Sequence, residues 1–411
     1  MRILVYCFAL LAAACLAFPA DYFPPPDNAG GWRTAVSAPE ARDRTGIDVT
    51  QLDQAFDYIK GSTKNGGLVV VRHGWLVYEK YFGHGQREAT PNTGSVGKSF
   101  TSIAVGILVG ERPDLFPDGL DQRVFTERFM PPIVFPLSDP RKNQIKLGQL
   151  LAMTAGIRGN NPGIIRGRQV ILDPPGPDGW SAMVDAVAAG KQDGKENAIT
   201  LWVEPGGGYS YATASAHLAS MMVRHVSGME LEEYIQRKIA SPLGWGRWGF
   251  GYQRPEITHT PGGGGIALRA TDMMRFLYLL LHEGRWGKDQ VVPADYVRHC
   301  GRRSPYNPHT DYSLEFTVNA GSEAPEAPRD AYWKQGSGGH CIYVVPSLDL
   351  VVFKLGGRDG QYDPKQLDVA VPAFVRDHYD GSRENWKPEV DAGTAARRTL
   401  ELVVAAVSGA Q

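Results

Sequence analysis

Two β-rich runs open the body of the chain and two more close it, and that arrangement limits the fold more than any other feature. Residues 68–71 and 75–82 are rich in β-branched and aromatic side chains and meet at His73-Gly74, a hairpin signal. Residues 341–345 and 348–355 repeat the pattern around a Pro346-Ser347 turn. Between them the signals are helical. Residues 95–109 are apolar on one face and predict a helix, as do 147–153, 181–189, 214–226, 230–239 and 271–282, the last after four glycines, Gly262 to Gly265. One more helix is expected from Thr50, as its cap, to Ile59, and another over 366–378. Residues 21–46 read as an irregular lead-in, and the prolines of 111–146 as loops with short helices. This order predicts a sheet built from both chain ends with a helical region inserted.

Several function classes are excluded early. At 43% hydrophobic and 21% charged residues, the 411-residue chain has the apolar mass to bury a core, so it is not disordered over most of its length. A net charge of -1 shows no basic excess for nucleic acid. No stretch after residue 20 is apolar for long enough to span a membrane. The first twenty residues differ. Arg2, the apolar 3–16 run and the small residues ending at Ala17 read as an export signal, so the mature chain is expected to be periplasmic or secreted. The segment ending at Cys15 also loosely resembles a lipoprotein site, which would anchor the chain there. Only Cys300 and Cys341 remain in the mature chain. They could form one bridge, but two unrelated buried thiols is the simpler reading.

Three familiar patterns fail on inspection. Gly97-Lys98-Ser99 looks like the end of a phosphate loop, but Asn92 stands where the first glycine is needed. Gly244 to Gly249 spells G-x-G-x-x-G yet follows a helix end rather than a strand. Thr93 replaces the first glycine of a G-x-S-x-G elbow. The ten histidines show no metal spacing, so neither metal nor cofactor is expected.

Ser95-Val96-Gly97-Lys98 carries the chemistry. Serine and lysine three apart at a helix start share one face. The hydroxyl needs a base to become a nucleophile, and a lysine with a depressed pKa can be that base. By itself the pattern is common, and a solvated lysine beside a capping serine would explain it equally well. Two further segments change that reading: Pro205 to Thr213, with Tyr211-Ala212-Thr213, leads into a helix, and Lys334-Gln335-Gly336-Ser337-Gly338-Gly339 leads into a strand.

With these three segments in this order, the chain resembles the serine β-lactamase-like and penicillin-binding-protein superfamily. It looks closest to the branch of class C β-lactamases, family VIII esterases and 6-aminohexanoate-dimer hydrolases. The resemblance spans roughly residues 45–360 and includes flanks such as Leu150 to Gly156 and Gly284-Arg285-Trp286-Gly287. It implies an α+β, transpeptidase-like fold: an antiparallel sheet flanked by helices plus a mostly helical region, with the site between them. The hydrolase domain is expected over 47–411, its α/β part at 47–115 and 265–380 and its helical part at 116–264.

The resemblance implies Ser95 as nucleophile, Lys98 as its base partner and Tyr211 as general base and then proton donor. It implies an oxyanion hole from the N–H groups of Ser95 and Ser337. Substrate contacts fall to Thr213, Lys334, Gln335 and Gly336, with Lys334 binding a substrate carboxylate or tuning Tyr211. Thr213 stands where the family has Asn, and Gln335 where it has Thr. His340 reads as a packing histidine. The expected function is an acyl-enzyme serine hydrolase acting on small esters or amides. The alternatives are a β-lactamase or D-alanyl carboxypeptidase, and a non-catalytic peptide- or cell-wall-binding relative.

Overall fold

The two terminal hairpins join in one sheet. In the computed structural model, which describes residues 22–137, 139–172, 201–251, 260–363 and 387–407, β1 (Gly66–Arg72) and β2 (Trp75–Phe82) pair antiparallel. The later strands are β3 (Thr317–Val318), β4 (Tyr332–Gly336), β5 (His340–Val345) and β6 (Leu350–Leu355). The order across the sheet is β2-β1-β6-β5-β4-β3, with every neighbouring pair antiparallel. The join is β1 to β6, with Val70 opposite Val352. His73 and Gly74 both take positive φ, 50° and 72°, as a two-residue hairpin turn demands. The predicted leader and the helices over 181–189 and 366–378 lie outside the described residues.

Both faces of the sheet are covered, which is why its strands read as unbroken apolar runs. Leu68, Val70, Tyr343 and Val352 face helices α2 (Val49–Lys60) and α6 (Ala392–Ala405) through Leu52, Ile59, Leu400 and Val403. Val69, Val71, Ile342 and Phe353 face α3 (Gly97–Glu111) and α5 (Ala270–Leu281), where Phe100 stacks on Phe276 at 3.8 Å between ring centroids. Beyond α3 lies α4 (Thr213–Ser227), packed on it through Leu218 and Met222.

The structure corrects several local readings. The lead-in is not irregular throughout: α1 (Ala38–Thr45) is capped by Ser37 and ended by Gly46 in the left-handed conformation. Asp48, not Thr50, caps α2, its carboxylate accepting from the N–H of Thr50 at 3.0 Å. Helix α6 lies past the predicted end of the α/β part and is capped by Asp391. The helix predicted over 230–239 forms without a break, Leu231–Ile235 passing through a π-turn over Gln236–Ala240 into Ser241–Leu243. Helix α3 begins two residues later than predicted, and it is buried all round from Gly97 to Leu108 rather than on one face. Its hydroxyls find partners in flanking loops: Ser99 donates to the carbonyl of Glu315 at 3.0 Å and Thr101 to that of Gly262 at 2.7 Å. Cys300 and Cys341 are free, buried thiols. Among the described residues no helix is long and apolar enough to cross a membrane.

Candidate active site

Ser95 sits in a single 3-10 turn, Gly94–Val96, immediately before α3. From Pro91 to Leu108 every residue is buried except Ser95, which is half-buried. The turn is held by backbone from three directions. The N–H of Thr93 donates to the carbonyl of Ile266 at 2.9 Å, that of Gly265 to Gly94 at 3.0 Å, and that of Asn92 to Gln361 at 2.9 Å. Gly97 lies against Gly264, where a side chain on Gly97 would come within 2.9 Å of backbone. The glycine run before residue 266 thus lets a second backbone approach the start of α3.

One turn along, Lys98 is 1% exposed. Its Nζ donates to Ser95 Oγ at 3.0 Å and to the carbonyl of Gly263. Burial pushes this amine down; the charge of Lys334 adds to that, while Tyr211 and Glu315 oppose it. Gly263 has no room for a side chain, because Thr213 and His217 fill the space.

Tyr211 comes from the loop before α4. Its carbonyl accepts from the N–H of Asn160 at 2.9 Å, and Ser210 is tied to Asn160 at 3.0 Å. The ring lies between two lysine side chains, 5.2 Å from Lys98 Nζ and 4.9 Å from Lys334 Nζ. Burial alone would push the phenol up. Lys334 and then Lys98 outweigh it, helped by hydrogen bonding with Ser95, and hold Tyr211 below its ordinary value despite the opposing charge of Glu315.

Lys334, on β4, is 2% exposed and paired with a wholly buried Glu315 at 3.2 Å. Its Nζ also donates to the Tyr312 hydroxyl, which in turn donates to Glu315 Oε2 at 2.5 Å. Sequence reading missed Tyr312 and Glu315. Neither lies in a recognised motif, and only the fold brings them under Lys334.

The structure therefore brings Ser95, Lys98, Tyr211 and Lys334 together. Thr213 is the first residue of α4, packed beside Gly263. Ser337 follows β4 directly: a Cβ built on Gly94 would lie 2.9 Å from its backbone nitrogen. Gly336 is pressed on the carbonyl of Thr93. Gln335 is not drawn into the cluster. Strand alternation turns its side chain to the face opposite Lys334, the face of Trp333. His340 is buried, pushed down to about 3 by burial and then by Lys354, and its Nδ1 accepts from the N–H of Gly356 at 3.0 Å. Among the described residues no three His, Cys, Asp or Glu side chains are grouped to hold a metal.

The sequence model of the Beta-lactamase family matches residues 50–371, and the chain belongs to that family. No curated protein sequence matches it. Solved structures do. EstCE1, described as a hydrolase with promiscuous acyltransferase activity, has a TM-score of 0.60 at 16% identity, over 86% of this chain and 98% of that one. A penicillin-binding protein homolog from Caulobacter crescentus gives 0.58 at 14% identity, over 87% and 97%. A simvastatin synthase variant from Aspergillus terreus gives 0.56 at 17%, over 87% and 98%. At these identities the likeness is one of fold.

Proposed function

We propose that this chain is a serine hydrolase that forms an acyl-enzyme on Ser95 and cleaves ester or amide bonds of small acyl substrates. The observation that carries the reading is the half-buried Ser95, its hydroxyl 3.0 Å from a sealed lysine whose pKa is pushed down.

In the reactive form the Lys98–Tyr211 pair holds one proton fewer than its full complement. Ser95 Oγ passes its proton to that pair as it bonds to the substrate carbonyl carbon. The carbonyl electrons move onto oxygen, to which the N–H groups of Ser95 and Ser337 donate hydrogen bonds; one such donor is worth roughly a hundred- to a thousandfold in rate. Collapse breaks the bond to the leaving group, and Tyr211 returns the proton to its oxygen or nitrogen. Water then repeats the sequence on the acyl-enzyme, releasing the acid and restoring Ser95.

Esters are the preferred class. Thr213 has one hydroxyl where the family's Asn offers an amide donor and acceptor. A lactam side-chain amide left unpaired there loses about 1–3 kcal/mol, roughly tenfold to a hundredfold in rate. A short ester has no such group. The leader of residues 1–20, read as an export signal, would place the activity outside the cytoplasm. One plate assay tests the substrate reading, comparing p-nitrophenyl acetate and butyrate with a chromogenic cephalosporin and using Ser95→Ala as blank. The esters should show the higher catalytic efficiency, and Thr213→Asn should raise lactam turnover. A higher efficiency on the cephalosporin would overturn the ester preference.

A further inference from the structure

The proposed chemistry leaves Glu315 unused, yet its placement is costly. It takes φ +63°, a conformation suited to glycine. Its backbone is fixed there, with its N–H on the carbonyl of Leu151 at 3.1 Å and its own carbonyl on Ser99, the residue after Lys98. The carboxylate is fully buried, and Oε1 has no hydrogen-bond partner, while Oε2 accepts from both Lys334 and Tyr312.

Lys334 is correspondingly occupied on that side. An ammonium has three protons to donate and no acceptor. Around this one stand Glu315 Oε2, the Tyr312 hydroxyl and the ring faces of Tyr211 and Tyr312, at 4.9 and 4.7 Å from their centroids. A substrate carboxylate seeking Lys334 would meet an ammonium whose charge is already balanced from behind. To bind there it would have to displace a buried pair and leave Glu315 uncompensated, which is strongly unfavourable.

We infer that Glu315 neutralises Lys334 from within the wall of the site, so that the site takes uncharged acyl substrates and discriminates against those carrying a carboxylate. The inference rests on the proposed Ser95 site and names the charge class of its substrate.

Binding tests it without turnover. In the Ser95→Ala protein, the dissociation constants of p-nitrophenyl butyrate and mono-p-nitrophenyl succinate are compared; the two differ mainly by a terminal carboxylate. The neutral ester should bind at least about tenfold more tightly. Glu315→Gln on that background should strengthen succinate-ester binding at least about tenfold and leave the butyrate ester within about threefold. Glu315→Gly is the second variant. It removes the same carboxylate and relieves the positive φ, so it keeps the test alive if the amide does not fold. Equal binding of both esters to the parent, or a ratio unmoved by both substitutions, would overturn the inference. The hydrolase reading fails separately, through absence of butyrate-ester turnover in the protein with Ser95 intact.

Discussion

Lys98 Nζ lies 3.0 Å from Ser95 Oγ and also reaches the carbonyl of Gly263, from a position sealed against solvent. The carbonyl fixes where the amine points, and burial favours its neutral form. The lysine is thus held ready to exchange a proton with one hydroxyl. Lys98→Ala and Tyr211→Phe should each lower kcat by at least about a hundredfold on p-nitrophenyl butyrate. The double variant should be no slower than the slower single one, because the two groups share a proton network. Independent, multiplying losses would contradict that network.

The pH profile follows from the charges around the pair. Lys98 and Tyr211 both lie below their ordinary values, and the groups facing them are Lys334, Glu315, Tyr312, Tyr209 and Ser95. The reactive form has lost a proton, so kcat/KM should rise with pH and level off below the ordinary tyrosine value of about 10. Glu315 raises both groups, and Lys334 lowers both. Glu315→Gln should therefore move the rising limb to lower pH, and Lys334→Gln should move it to higher pH. Initial rates across pH check this; shifts in the reverse directions would contradict it.

Gly94 holds the two proposed oxyanion donors in register. At φ +56°, it leaves no space for a Cβ against Ser337, whose side chain could rotate away but whose backbone nitrogen could not. Gly94→Ala should cost about 1–2 kcal/mol in stability from its φ. It should also lower kcat by at least about tenfold, toward the loss expected when an oxyanion donor is displaced. Far-UV circular dichroism should remain that of the parent. Full activity in a folded variant would remove Ser337 from the reaction.

Away from the site, Arg275 is wholly buried, 2.9 Å from Asp272 and 2.6 Å from Asp27. Asp27→Ala should destabilise the fold by about 2–3 kcal/mol, less than the full cost of breaking a buried pair because Asp272 remains. Asp114→Ala removes only an exposed partner of Arg112 and should leave the urea midpoint where it is in the parent. Urea midpoints compare the two directly.

What the sequence conveys here depends on how local the physics is. The valine runs of β1 and β6 declare strands because each is buried on both faces. The order of Ser95-x-x-Lys98, Tyr211 and Lys334 announces the cluster because each lies in a recognisable segment. Helix α1 is marked by Ser37, Pro39 and Gly46, signals that the Pro-, Gly- and Ala-rich composition of 21–46 obscured. Glu315 is different. It is one of 44 acidic residues, and its partner is 19 positions away on a strand that topology alone brings back. The same holds for Gly263, whose carbonyl meets Lys98 across 165 positions. Gln335 carried a motif position, but its side chain follows the alternation of β4 rather than the motif.

Intact mass, with peptide mapping, after exposure to a fluorophosphonate reads the nucleophile itself. A single adduct should form on Ser95, ester hydrolysis should be lost completely in step with labelling, and a folded Ser95→Ala protein should show neither adduct nor turnover. Helix α3 begins at Gly97 and Ser95 makes no cap to it, so that variant should keep its unfolding midpoint. An adduct elsewhere, or ester hydrolysis that survives Ser95→Ala, would contradict Ser95 as the nucleophile.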